Sequence, residues 1–338
     1  MRIDIWEGHG YNEMYCFMGE TKDFHIGRID MNSKFLFYTL KRLGMALLTI
    51  FLVIAITFFV MHAIPASPFS SEKAKSDAVI KALEVKYGFD KPLGIQFLNY
   101  LWGVLHFDFG LSTAWVGFTV TDLITNAFLY SASIGFSAAI IALLLGVLFG
   151  CLSALNRGKW PDKIIQVVTT ALVSMPSFVV ATLLLLLFSY ILGWLPSLGT
   201  QPGGMWLPII SLSMYPMAYI TRLQRSSMLD VLGADYIRTA RAKGVKSNKV
   251  IYKHALKNAL IPVITYAGPM MAYILTGSMV VENIFSVPGL GRLFTNSMLR
   301  TDYMMIMGVT IFLAAMIILM NFVSDVLYKV MDPRIELA

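Results

Sequence analysis

FLYSASIGFSAAIIALLLGVLFGCLSAL, residues 128–155, contains no Asp, Glu, Lys, Arg or His. About 20 apolar residues in a helix are enough to cross the ~30 Å hydrocarbon core of a bilayer, and this run exceeds that length. Its apolar residues are not spaced at 3.6 or 2 so as to leave one face for water, which points to lipid rather than a packed soluble core as their solvent. Working outward, comparable runs extend over Leu43–Ile64, Ile164–Trp194, Leu207–Leu223 (interrupted by Pro216), Ile261–Val281 and Met304–Tyr328. The chain therefore reads as all-α and polytopic, with about six transmembrane helices. With 57% hydrophobic and only 14% charged residues over 338 positions, the composition lies outside the range of soluble domains.

Charge gives the orientation. The loop from Asn156 to Lys163 carries Arg157, Lys159 and Lys163, and the segment before the fifth run carries nine bases from Arg222 to Lys257. Short loops rich in Lys and Arg stay in the cytoplasm, which makes this a multi-pass protein of the cytoplasmic (inner) membrane with both termini on the cytoplasmic side. The turns at 193–206 and 282–303 then face outside, as does the long segment from Ala66 to Asp122, where acids roughly balance bases. Within that segment Ser76–Tyr87 has helical spacing, Gly88 suits a helix end, and Gln96–Leu105 reads as a second short, aromatic-rich helix forming an outer cap. Divided this way, the chain has an N-terminal segment (1–42), a first span (43–64), the cap segment (65–122), a body of five further helices (123–328) and a tail (329–338). Residues 1–30 show neither span nor periodicity, and Met31 is an alternative start.

What the sequence lacks narrows its chemistry. The span centres hold no ionisable residue of the kind an ion-coupled carrier uses; His62 and Asp325 sit at span ends, as interfacial residues do. Gly289 and Gly291 beside Pro288 read as a tight outer turn rather than a phosphate-cradling loop, and neither a nucleophile–base triad nor an HExxH metal motif is present. Cys16 and Cys151 form no ligand spacing, and the five His residues are scattered, so no metal site and no catalytic residue is assigned. The net charge of +7 sits beside the spans, as membrane topology requires, and does not mark nucleic acid as a partner.

The segment from about 226 to 260 has internal design. Ala234–Lys243 is rich in helix formers and ends at Gly244, a natural residue for a helix terminus; Ser247 suits the cap of a second helix through Leu260. Tyr236, Ile237 and Ala240 give the first helix an apolar stripe that fits a groove in another protein, flanked by Arg238, Arg241 and Lys243. On charge alone, a basic loop lying on anionic lipid fits as well.

Motif order favours the protein partner. DYIRTARAKG (235–244) followed by HALKNALIP (254–262) closely resembles the coupling loop of membrane subunits in ATP-binding-cassette importers, and more narrowly the dipeptide, oligopeptide and nickel permease family. YGFDKPLGIQF (87–97), FDFGLS (107–112), VENIFSVPGLGRLF (281–294) and VSDVLYKVMDPRI (323–335) match the same family in the expected order. Against the general loop pattern of Glu-Ala-Ala, three residues, Gly, nine residues and Ile-x-Leu-Pro, this chain aligns Arg238, Thr239, Ala240, Gly244, His254, Leu256 and Lys257. The acid and the proline are missing.

The resemblance implies a type I ABC importer permease fold and an ATPase-coupling site at Asp235, Arg238, Thr239, Ala240, Arg241, Ala242, Lys243, Gly244, His254 and Leu256. It implies a second homologous permease, two ATPase subunits that bind the ATP and Mg²⁺, and an extracytoplasmic substrate-binding protein as partners, with no cofactor in this chain. Ala240 and Ala242 would let the ATPase approach closely. Peptide import is the expected activity; nickel or metal-chelate import and an ion-coupled secondary carrier are the alternatives. No span residue is singled out as a substrate ligand.

Overall fold

The computed structural model describes residues 33–64, 85, 88–115 and 117–331, with side chains from 40 to 323. The expectations for residues 1–30, for a helix over most of Ser76–Tyr87, for the Asp325 side chain and for the tail beyond Met331 lie outside the described residues. The chain divides into two units, residues 1–45 and 46–338. Of the first, residues 33–45 are described and are helical.

The elements are α1 (Ser33–Ala63), α2 (Leu93–Leu105), α3 (Val120–Leu155), α4 (Trp160–Ser174), α5 (Ser177–Leu184, continued by a π-helical stretch Leu185–Ile191) and α6 (Trp206–Gly233). Next come α7 (Asp235–Ala242), α8 (Ser247–Lys249, then a π-helical stretch Val250–Ala255, then Leu256–Ala259), α9 (Ile261–Leu275), α10 (Met279–Ile284), α11 (Leu290–Leu299) and α12 (Tyr303–Met331). By length and apolar composition, α1, α3 and α12 each suffice to cross a membrane, and the bent pairs α4–α5 and α8–α9 raise the number to five if each is one span. The run at 207–223 falls inside α6, which does not meet that criterion alone.

Helix ends depart from the apolar runs for local reasons. α3 begins eight residues before Phe128 because the Thr119 hydroxyl accepts the Asp122 N–H at 3.0 Å and caps the first turn. The third run is broken: Met175, which precedes Pro176, is pushed into extended backbone, and α4 and α5 meet at 109°. α6 passes through Pro216 and runs ten residues beyond Leu223. His62 is occupied in packing, stacked on Phe58 with centroids 4.0 Å apart and hydrogen-bonded to Phe58 O and Gln96 Oε1, which ties α1 to the short helix α2.

The centre is a seam between α3 and α6. Ala138, Ala142, Gly146, Gly150 and Ala154 recur every four residues on one face of α3, and all are buried. A Cβ on Gly146 would lie 2.7 Å from Ile220 Cγ2, and one on Gly150 would lie 2.6 Å from Gln224 Cβ. Small residues that let backbones approach are what hold helices together in lipid, where apolar burial alone gives no preference. The pairs 146 with 220 and 150 with 224 advance in the same direction, so α3 and α6 are parallel. The chain between them, α4 and α5, must therefore travel from the end carrying Asn156 back to the end carrying Trp206. α9 returns alongside, its Ile274 O only 2.8 Å from the Cβ position of Gly135.

At the α3 N-terminal end, buried carboxylates close the fold. Glu282 of α10 accepts the Ser131 hydroxyl of α3 at 2.7 Å and the Arg292 N–H at 3.1 Å, while Ser131 Oγ accepts the Leu290 N–H at 2.8 Å. Two otherwise unpaired donors of the first turn of α11 are satisfied from outside that helix. Gly289 leaves the room, since a Cβ there would lie 2.5 Å from the Glu282 carboxylate. Asp302 does similar work for α12, accepting Met305 N–H at 3.1 Å, the Ser112 hydroxyl at 2.5 Å and Ala114 N–H at 3.1 Å.

Two outcomes are expected. Gly150→Val overpacks the seam and lowers stability by about 1–3 kcal/mol, read as a lower unfolding temperature in detergent; an unchanged value would show that the seam can open without cost. Burial raises the Glu282 carboxyl above its ordinary 4.5, outweighing the hydrogen bonds that favour the charged form. Its stabilising contribution is therefore full below about 4.5 and lost as pH rises through the higher folded value. The Tm advantage of the wild type over Glu282→Gln should shrink across that window, and a pH-independent difference would contradict the assignment.

Candidate functional site

The site is built from the end of α6 onward. Asp162, in the first turn of α4, is buried and accepts two bonds from the Arg225 guanidinium, from Nε at 2.8 Å and from the terminal nitrogen at 3.0 Å. It also accepts the Ser153 hydroxyl of α3 at 2.5 Å, the Gly158 N–H at 2.9 Å and the Gln166 amide at 2.8 Å. A carboxylate taken out of water holds its charge only when its lone pairs are filled in this way. The network fixes the ends of α3, α4 and α6 to one another, one turn before Met228.

Below Arg225, α6 ends at Ala234, whose extended backbone starts α7 in a new direction. α7 closes with a Schellman turn: the Gly244 N–H reaches Arg241 O at 2.9 Å and the Val245 N–H reaches Ala240 O at 3.2 Å. The turn requires the left-handed backbone of Gly244, at φ +75, which glycine adopts without steric cost. Ile237 is completely buried in a cluster with Ala154 of α3, Met228 of α6 and Val250, Ala255 and Ala259 of α8; Ala240 and Val245 pack against it. The Asn258 amide donates to the Tyr236 hydroxyl at 2.9 Å, a second tie between α7 and α8.

This arrangement sorts the expected site residues into two faces. Asp235, Arg238, Thr239, Arg241, Ala242, Lys243 and Gly244 are exposed together on α7 and its turn, whereas Ala240 is half-buried against the Ile237 cluster and His254 and Leu256 are half-buried on α8. The apolar stripe is thus spent within the chain: Ile237 and Ala240 pack on its own helices, so neither inserts into another protein's groove, and of the two alanines only Ala242 is open to close approach. Tyr236, 45% exposed, remains at the edge. Ser247 is not a cap either; it is the first helical residue of α8, and the cap position belongs to Lys246, with no side-chain bond. The exposed face is basic. Arg238 and Asp235 approach to 3.4 Å, an exposed pair of the kind that contributes little.

Asp162, Arg225, Glu282 and Asp302 carry the geometry, and none is conspicuous in the sequence by spacing. The signal was scarcity: in a chain with only 14% charged residues, an acid at a helix start stands out, and Asp302, which accepts the Met305 N–H of α12, is the case where it serves that helix's own unpaired donors.

The geometry is that of an all-helical membrane bundle presenting a basic helix–turn–helix at one end. The chain belongs to the family described as binding-protein-dependent transport system inner membrane component, matched over residues 146–337, with the family's N-terminal region matched over residues 34–114. It is 44% identical over 306 residues to the oligopeptide transport system permease protein OppB of Haemophilus influenzae, covering 90% of this chain and 99% of that protein. It is 42% identical over 301 residues to the dipeptide transport system permease protein DppB of Bacillus subtilis, covering 89% and 98%. OppB of Escherichia coli strain K12 is 42% identical, covering 88% and 99%. Among solved structures, a chain of the MetNI methionine ABC transporter in inward-facing conformations matches with a TM-score of 0.51 at 18% identity, covering 61% of this chain and 95% of that one. That likeness is one of fold. The protein is an all-α, multi-pass inner-membrane transport subunit with the ABC importer permease fold.

Removing Asp162 leaves Arg225 and Ser153 without their partner. Asp162→Ala is expected to cost about 3 kcal/mol, the lower end for breaking a buried pair, and to raise proteolysis between Asn156 and Lys163 in the purified protein. Unchanged stability would show that α6 is held in place without the pair.

Proposed function

We propose that this chain is the permease subunit of an ATP-driven importer of di- or oligopeptides, forming part of the path across the membrane. The observation that carries this reading is 42–44% identity along about nine-tenths of the chain to permeases named for those substrates. The subunit pairs with a second, similar permease, receives substrate from an extracytoplasmic binding protein and rests on two ATPase subunits. ATP and Mg²⁺ belong to those ATPases; this chain contributes neither a nucleotide site nor a cofactor. Its two termini lie in the cytoplasm, with six crossings, α6 included. The parallel α3 and α6, joined through α4 and α5, support that count.

The exposed face of Asp235, Arg238, Thr239, Arg241, Ala242, Lys243 and Gly244 meets the ATPase, Ala240 keeps that face in place from behind, and the half-buried His254 and Leu256 of α8 complete the site. Closure of the ATPases on ATP displaces α7, and the buried Ile237 cluster carries the displacement into α3, α6 and α8. The requirement is a stiff loop, which the Schellman turn and the Asn258–Tyr236 bond supply.

A β-branched side chain is strained by roughly 1–3 kcal/mol in the backbone that Gly244 adopts, although the space around it is open. In proteoliposomes holding the whole transporter, Gly244→Val should insert normally and retain ATP hydrolysis while uptake of a labelled peptide falls about tenfold, the effect of roughly 1.4 kcal/mol lost from coupling. Wild-type uptake in this variant would remove the coupling role. Uptake of nickel in preference to peptide, or uptake driven by a proton gradient without ATP, would overturn the reading as a whole.

A further inference from the structure

The lipid-facing side of a membrane helix is apolar, and α3 obeys this rule: Phe136, Ile140, Leu144 and Leu148 are among its exposed residues. α6 does not. Between Trp206 and Gly233 its exposed positions are Tyr215, Tyr219, Arg222, Ser226 and Asp230, spaced at four, three, four and four residues along a single face. No Leu, Ile or Val of α6 is exposed; those residues are turned inward or half-covered. This is also why α6, unlike α3, is not apolar enough to qualify as a span by composition. Tyr266 of α9 joins the stripe, its ring 4.4 Å from that of Tyr219. Arg222 makes no ion pair among the described residues, in contrast to Arg225 one turn further on.

Polar groups at membrane depth, as Tyr215 and Tyr219 are, face a water-filled cavity or another protein surface, because lipid offers them no hydrogen bonds. Arg222 stands where the same face enters the basic cytoplasmic segment. The Tyr hydroxyls supply donors and acceptors for a peptide backbone, their rings supply area for side chains of any type, and a guanidinium supplies the fork that matches a carboxylate. Resting on the reading of this chain as a peptide permease, we propose that Tyr215, Tyr219 and Tyr266 line the wall of the peptide path contributed by this subunit, and that Arg222 receives the peptide carboxylate. The stripe tolerates many sequences because none of its contacts depends on one side-chain shape. It lies on the same helix that the Asp162–Arg225 pair clamps and that the coupling loop extends, so displacement of the loop shifts the wall.

The test uses the assembled transporter in lipid nanodiscs, with Cys16→Ser and Cys151→Ala as background and Tyr215→Cys and Tyr219→Cys as two independent reporters. Both are expected to react with a charged thiol reagent, and added binding protein, peptide and ATP should slow the reaction about tenfold, whereas Leu144→Cys on α3 reacts only with a membrane-soluble reagent. Labelling of the reporters by the membrane-soluble reagent alone would assign the stripe to lipid. Cross-linking to the second permease without charged-reagent labelling would assign it to a subunit contact, and labelling that peptide does not slow would assign it to water alone; each overturns the proposal. As a second measurement, Arg222→Gln should reduce uptake of a peptide with a free carboxyl terminus roughly tenfold more than uptake of its amide, the scale of one charge-assisted hydrogen bond. Equal losses would remove Arg222 from the proposal. Failure of the parent reading is read separately, as uptake that does not require ATP.

Discussion

Helices in a bilayer gain nothing from exchanging lipid for one another unless their backbones come close, and the α3–α6 seam is where this chain meets that condition. Gly146 and Gly150 bring Ile220 and Gln224 within the distance at which a Cβ would collide. Everything else about α6 follows from that contact. Its inner face, with Ser211, Ile220, Gln224 and Met228, is committed to burial. The outer face is thereby fixed, and with it the direction of Tyr215, Tyr219 and Arg222. Arg225, about two turns before its far end, is placed beside Asp162, and extended Ala234 then turns the chain into α7.

Polar side chains take over where the seam stops. Asp162 near one end of α3, and Glu282 and Asp302 near the other, each sit at or opposite the first turn of a helix and fill their lone pairs with hydroxyls and backbone N–H groups. A helix N-terminus has donors to spare and a partial positive charge, so a short acid is the economical partner there. The small residues are distributed with the same logic. Glycine stands on α3 where a helix must approach, at position 289 where a carboxylate must enter, and at 244 where the backbone must turn left-handed.

Much of this architecture was legible in the sequence because lipid imposes a coarse rule: long apolar runs cross, and four of the six runs each lie wholly or nearly so within one described helix. The break at Pro176 and the end of α9 before Gly277 were not read, since an apolar run looks continuous across a bend. α6 was read as an ordinary span because hydropathy averages around a helix, and its polar stripe is a property of one face. The segment around Gly244 was legible as helix, turn and helix, from helix formers followed by glycine, although the cap expected at Ser247 belongs to Lys246. Its stripe was legible, but its destination was not: periodicity shows that Ile237 and Ala240 share a face, and only the fold shows that Met228 and Val250 already occupy it. Glu282, Asp162 and Asp302 stayed hidden because their partners lie up to 190 residues away in the chain.

The contrast between the two faces of α7 suits the coupling role proposed for it, in which a short helix transmits force yet releases its partner. On the inner face, complete burial of Ile237 stabilises by about 1.5–3 kcal/mol, and its contacts reach α3, α6 and α8 at once. Close-packed interiors do not deform continuously, so a push on α7 is met by movement of those helices together rather than by indentation of the loop. On the outer face the charges are solvated and weakly paired, and Arg238 and Arg241 are exposed. Contacts through exposed charges steer association and set which surface docks more than they hold it. In the proposed coupling role, stiffness would therefore reside in this chain and reversibility in the interface, a division of labour under which one loop could be loaded and unloaded at every cycle without its own packing coming apart.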